Sequence, residues 1–454
     1  MFRRLVLAFF IAATLLAHAQ TNSWNVTSRL AAIESLVDRH TFAIDRSPFV
    51  TGDKYLYNGH FYSDKPPVFN LAGAAIAVAL RAVKIDIVRQ SKIVLVPITI
   101  VLIALPFALA VGTLFALLRL LGVDERWAAS VATIAGSATL AFPYATVLIN
   151  HVPAAALLLA ALYVLARVRR DGHATAPALA GMILAIGVGI DTSFVVFLVL
   201  APIVLGRPTP RAYLVYAAGA IPVLGVLALT NLGLSGNVRP PDTNAPLFDW
   251  PGSKFAHGNL AGTVVHRTPA ATLAYAFNML AGVRGLFLYS PILVFGVYAL
   301  VLQLRDRGTT GVQRTMATFV AVATTLYVAS AVIATIDFGG YAYGMRTFVS
   351  ISFLLCIPLG SLASALRERG TLRRAFLATL VVSIVFALAG VLDTFSASPF
   401  PLVAALPNFA RFVQAHRVHG LLDLIAFATI GIVAYVVVRR SLLRPSKRRP
   451  RAYG

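Results

Sequence analysis

The chain has 454 residues, of which 58% are hydrophobic and only 12% charged, and its mean hydropathy is +0.80. That leaves too little polar surface to cover a soluble fold, and apolar runs of about 20 residues, enough to cross a hydrocarbon core, recur from end to end. The formal charge of +22 does not point to nucleic acid, because Arg and Lys cluster in short gaps between apolar runs, where the positive-inside bias places them.

In chain order, Met1-Phe-Arg-Arg followed by Leu5 to Ala19 reads as an uncleaved first span. A signal peptide cut after Ala17-His18-Ala19 is the alternative. Residues 20–92 then make a first external loop. Within it Leu30, Ile33, Leu36 and Val37 recur at helical spacing between Asn25 and Arg39, which predicts an amphipathic helix on the membrane surface. Phe42 to Asp45 reads as a short extended piece, and Pro48, Gly52 and Asn58-Gly59 mark turns. Pro66 to Val83 is apolar but short, a juxtamembrane or half-inserted helix, with a full span as the alternative. Ile93 to Leu118 reads as one long span with Pro97 and Pro106 as possible kinks.

Further spans fall near 127–148, 152–168, 176–190, 192–206, 212–232, 285–304, 315–336, 347–365, 375–392 and 420–438. Arg167/Arg169/Arg170, Arg207/Arg211, Arg305/Arg307/Arg314 and Arg367/Arg369/Arg373/Arg374 occupy every second loop. The expected fold is an all-α polytopic membrane protein of about 12 spans, roughly 11 to 13, forming one integral domain over 1–454 with both ends cytoplasmic. A basic tail, 439–454, would lie beside anionic lipid of the cytoplasmic leaflet. Outside lie 20–92, the Asn150-His151 hairpin, the turn at Asp191, a second long loop at 233–284, and 337–346 and 393–419. The uncommon polar residues gather in these external segments, so any chemistry belongs to the outer face.

The densest polar stretch is Thr51 to Pro67, TGDKYLYNGHFYSDKPP. Asp45, Asp53 and Asp64 are its neighbouring acids, any of which could act as a general base if ionised and within hydrogen-bond reach of an acceptor hydroxyl; solvated loop acids are the plainer reading. Asp64 ranks first because it precedes the Lys65-Pro-Pro turn, although side chains adjacent in an extended run point to opposite faces. Lys54, Lys65 and His60 could hold a phosphate or merely touch headgroups, and Tyr62 could contact substrate. Asp191 is either a helix N-cap or a functional acid at the membrane edge, and His151 in Asn150-His151 carries the same two readings. Gly339-Gly-Tyr-Ala-Tyr-Gly-Met-Arg346 joins glycines that permit close backbone approach, Tyr341 and Tyr343 that can stack on a sugar, and an arginine suited to phosphate. Arg284 lies in a second such junction, Val283 to Pro291. The lone Cys356 lies in an apolar run, and neither a metal-ligand spacing nor a nucleotide-binding glycine motif is present; no cofactor is expected, and a divalent ion stays open.

Together these pieces resemble the GT-C glycosyltransferases, polytopic enzymes that use polyprenyl-phosphate sugars. The likeness is greatest to the bacterial branch similar to protein O-mannosyltransferases and the lipid A aminoarabinose transferase. It rests on Tyr62-Ser-Asp-Lys-Pro-Pro67, on Arg284-Gly-Leu-Phe-x-Tyr-x-Pro291 and on Gly339-Gly-x-x-x-Gly-x-Arg346. The resemblance implies transfer of a sugar from a polyprenyl-phosphate carrier to a glycan, lipid or protein acceptor on the outer face of a bacterial cytoplasmic membrane. Lys65, Arg284, Arg346 and Lys54 would then attend the donor phosphate. One departure stands out: Asn25 occupies the place where the resemblance implies an acidic base, so Asp45, Asp53 or Asp64 must substitute. The alternatives are a transporter or flippase of a lipid-linked anion, whose paired broken spans are not evident here, and an inactive membrane scaffold.

Overall fold

The computed structural model describes residues 1–19, 23–172, 175–206, 209–256, 268–282, 284–309, 311–335, 338–340, 342–392, 394–395 and 419–443. It is a helical bundle. Among the described residues seven helices are long and apolar enough to cross a membrane: Ser91–Leu120, His151–Asp171, Pro210–Ser235, Gly311–Ala334, Arg346–Glu368, Gly370–Leu392 and Ile425–Leu443. Pro67–Ala82, Ala176–Ile190, Thr192–Leu205 and Leu293–Arg305 are apolar but shorter.

One expected span is continuous as read, and another is broken. Ser91–Leu120 is one continuous helix, so its two flanks lie at opposite ends of the bundle. Proline removes a helical N–H and its ring crowds the preceding turn, and here a π-helical stretch, Ile100–Ala104, lies between Pro97 and Pro106 and absorbs the misfit without a break. The span expected near 127–148 is instead two pieces, Glu125–Ser137 and Ala141–Tyr144. Between them the Leu140 amide donates to Ser290 Oγ at 2.9 Å rather than to a helical carbonyl. The first piece, at about 1.5 Å per residue, is too short to cross alone.

The bundle packs where small residues let backbones approach. A Cβ at Gly181 would lie 2.1 Å from the Tyr216 carbonyl oxygen, and one at Gly219 would lie 1.9 Å from that of Ala178. This seam joins Ala176–Ile190 to Pro210–Ser235. The rest of the latter helix, including Leu214, Ile221 and Leu229, is exposed apolar surface suited to lipid.

At one end of the bundle the first loop is folded. Helix α1 (Phe2–Leu15) leads to α2 (Trp24–Arg39), then strands β1 (Lys54–Tyr57) and β2 (His60–Ser63), then α3 (Pro67–Ala82). The strands are an antiparallel hairpin whose two-residue turn has Asn58 at φ 49° and Gly59 at φ 79°, the left-handed pair that a tight hairpin requires. Helix α2 is covered on more than one of its sides. Val26, Leu30, Ile33, Asn25, Ser28, Arg29 and Glu34 are all buried on it, because α3 covers one side and the hairpin another. Residues 236–256 roof the hairpin: Phe248 packs on Tyr55 at 6.2 Å, Trp250 on Phe61 at 5.2 Å, and the Tyr55 hydroxyl donates to the Leu234 carbonyl at 3.2 Å.

Candidate active site

The hairpin register builds the centre of the site. Lys54 pairs with Ser63, so Asp53 and Asp64 fall one step beyond the paired ends and face each other at the open base. Lys65 closes that base, its Nζ 2.7 Å from Asp53 Oδ2 and 2.9 Å from Asp64 Oδ2. The pleat no longer separates Asp64 from Lys65, because both lie past the last strand residue. Ser28 ties α2 to the cluster, donating to the Asp53 carbonyl at 2.5 Å with Ser63 Oγ 2.7 Å away.

The two carboxyls differ in electrostatics. Burial pushes Asp64 above the usual carboxylate range, and nearby Asp53 adds to this against the pull of Lys65. Burial acts on Asp53 too, but Lys65, with Arg346 and Arg29, outweighs it and holds that carboxyl below its ordinary value. One acid is biased toward the ionised form and its neighbour toward the protonated one.

Behind the cluster lies a second layer. Buried Arg29, drawn down to about 10 by burial despite nearby Asp64, donates to the Asn25 carbonyl at 2.8 Å, to the Asn25 side chain, and to Asn150 Oδ1 at 2.8 Å. Asn25, in the place where an acid was expected, therefore serves to hold a buried cation. Asn150 in turn donates to the Ile190 carbonyl at 2.9 Å, which joins the start of His151–Asp171 to the end of Ala176–Ile190. His151 Nδ1 lies 2.6 Å from Asp191 Oδ2. Asp191 does cap the following turn, accepting from the Ser193 amide at 3.2 Å, and it also accepts from Ser193 Oγ at 2.6 Å. Ser193 Oγ is 2.9 Å from the Tyr327 hydroxyl, which donates to the Thr347 carbonyl at 3.0 Å.

Arg346 opens the helix Arg346–Glu368 after a glycine-rich approach in which Gly339, Gly340 and Gly344 all have positive φ. At Gly344 a Cβ would meet Leu140 and Tyr289 at 3.0 Å. The Arg346 guanidinium is within electrostatic reach of Asp53, Arg29 and His151, yet makes no hydrogen bond or ion pair to another described residue, and its Nε is buried without a partner. A cation so placed suits an anionic guest. Buried Arg284 donates to the Ala342 carbonyl and so braces the same approach.

Other residues singled out in the sequence fall elsewhere. Asp45 faces the outer side of the hairpin, accepting from the Phe61 amide at 2.9 Å with His60 Nδ1 at 3.2 Å, and His60 is exposed. Lys54 lies over the rings of Phe61 and Trp250, at 4.0 and 5.2 Å, and Tyr62 stacks on Tyr55 at 5.5 Å. Tyr343 is core, its hydroxyl donated to the Phe386 carbonyl at 2.7 Å. Tyr341 lies outside the described residues. One acid escaped the sequence reading: Asp242, in the roof, accepts from Thr192 Oγ1 at 3.0 Å, and burial pushes it up to about 6. Its only signal was a carboxylate after two prolines in an external loop. Among the described residues no group of three His, Cys, Asp or Glu side chains is placed to hold a metal ion.

No protein-family description and no curated protein sequence matches the chain. A solved structure does match: ArnT from Cupriavidus metallidurans bound to undecaprenyl phosphate, with a TM-score of 0.51. The chain has the GT-C fold. The likeness covers 97% of this chain and 76% of that one at 12% identity, so it is a likeness of architecture rather than of residues.

Proposed function

We propose that the chain is a membrane glycosyltransferase that moves a sugar from a polyprenyl-phosphate carrier to an acceptor hydroxyl, at the external end of the bundle. The observation that carries this reading is the Arg346 guanidinium, which has no hydrogen-bond or ion-pair partner among the described residues and lies within electrostatic reach of Asp53 and His151, in a fold of which one solved example holds undecaprenyl phosphate. In such a transfer the anomeric carbon leaves phosphate, and negative charge grows on the phosphate oxygens. Fixed cations there stabilise the transition state more than the ground state. Arg346 offers a planar fork matched to two phosphate oxygens, and Lys65, anchored by Asp53 and Asp64, supplies a second point charge. Arg284 helps fix the loop from which Arg346 projects. The external side is inferred from the arginine-rich loops at the opposite end of the bundle.

Binding of undecaprenyl phosphate to purified protein in nanodiscs tests the reading. Arg346→Ala is expected to weaken binding by about tenfold or more, the equivalent of one charge-assisted hydrogen bond. Arg346→Lys, which keeps the charge and loses the fork, should fall between. Equal affinity in all three proteins would sink the assignment.

A further inference from the structure

We infer that His151, oriented by Asp191, is the base that takes the proton from the acceptor hydroxyl; this rests on the glycosyl-transfer reading of the same site. The short contact between His151 Nδ1 and Asp191 Oδ2, 2.6 Å, assigns the tautomer. A carboxylate has no proton to give, so Nδ1–H donates and the lone pair is left on Nε2. That nitrogen makes no hydrogen bond to another described residue and is not sealed from solvent. Asp191 is itself fixed, because the Ser193 amide and hydroxyl both donate to its other oxygen. An imidazole held at one nitrogen by a carboxylate, with the second nitrogen open, is the arrangement by which hydroxyl groups are commonly activated.

Its surroundings favour the same role. The charged groups within electrostatic reach of His151 are Asp191, Arg346 and Arg29, so the imidazole shares its surroundings with the guanidinium proposed to hold the donor phosphate. Asn150, the preceding residue, is locked between Arg29 and the Ile190 carbonyl, which fixes the first turn of the helix that bears His151. Asp53 and Asp64, at the open base of the hairpin, both already hydrogen-bond the Lys65 ammonium. For Asp53, despite its burial, the Lys65 ammonium holds the carboxyl below its ordinary value and so makes it a weaker proton acceptor. In the step itself, the acceptor O–H bond breaks and its proton passes to Nε2. The oxygen forms a bond to the anomeric carbon, and the bond from that carbon to the phosphate oxygen breaks with its electron pair going to the phosphate. Asp191 stabilises the imidazolium until solvent removes the proton.

The test uses purified protein and undecaprenyl phosphate carrying labelled mannose, glucose or arabinose, with release or transfer of the sugar as the readout. His151→Gln is expected to lower turnover about 10²- to 10⁴-fold, the usual loss on removing a general base. Its affinity for undecaprenyl phosphate should stay at the parent value. Asp191→Asn should also lower turnover, and added imidazole should restore part of the activity of His151→Ala, which a purely structural histidine would not allow. Near-normal turnover in His151→Gln, or a loss matched by lost undecaprenyl phosphate binding, would overturn the assignment while leaving the transfer reading in place. If the unmutated protein turns over none of the three donors, the transfer reading falls and takes this one with it.

Discussion

Lys65→Met keeps most of the stem and removes the ammonium that separates two carboxylates, each with a side chain only 12–13% exposed. Their oxygens lie 2.7 and 2.9 Å from the same Nζ. With roughly 5 Å between them, two unit charges repel by about 3 kcal/mol at an effective dielectric of 20. Breaking a buried pair by removing one partner typically costs about 3–5 kcal/mol, so the two routes agree. The variant can relieve the repulsion only by protonating one acid, and Asp64, already displaced upward, is the one to take the proton. A carboxyl whose folded-state value is raised contributes stability below its unfolded value, and that stability is lost as pH rises through the folded one. Thermal unfolding of the detergent-solubilised protein should therefore show a deficit at pH 7.5 that shrinks as the pH falls toward 5. An equal deficit at both values would refute the three-residue network as drawn.

Asp242→Asn reports on the roof in a similar way. Burial lifts this carboxyl from 3.8 to about 6, only partly opposed by Thr192. The parent should thus lose stability as pH rises through about 6, whereas the variant should not; a gain of order 2 kcal/mol at pH 7.5, absent near pH 4, is expected. An unchanged difference across that range would mean the roof is open to water. Reporter fusions after Gly236 and after Arg440 should give opposite signals, since the arginine loops place those points on opposite sides of the membrane; matching signals would move the site to the other face.

The membrane character and most helices were legible because apolar runs of the required length stand out against arginine-rich gaps. The polar centre was legible too, since Asp53, Asp64 and Lys65 share one short stretch. What the sequence concealed was register. Asn58-Gly59 announces a turn, but only the pairing of Lys54 with Ser63 sets Asp53 opposite Asp64 and sends Asp45, His60 and Lys54 to the outer side. Long-range partners were hidden for a different reason. Arg29 was not singled out in the stretch read as an amphipathic helix, and only the meeting of α2 with Asn150, far along the chain, shows it to be a buried cation with assigned acceptors. Asp242 gave little more than a carboxylate after two prolines, because its burial against Thr192 is encoded by no local pattern. Tyr343 misled in the opposite sense, since a tyrosine beside glycines suits sugar stacking as well as it suits the core it occupies.

The most direct test of the central claim is turnover of a lipid-linked sugar by the purified chain. Undecaprenyl phosphate carrying labelled mannose, glucose or arabinose would be incubated with unmutated protein and with Arg346→Ala, and the label followed away from the lipid. At least one donor should lose its sugar to an acceptor or to water with the unmutated protein, and that reaction should fall by about tenfold or more in the variant. Label that stays on all three lipids with the unmutated protein, or a release indifferent to Arg346, would contradict the glycosyltransferase reading.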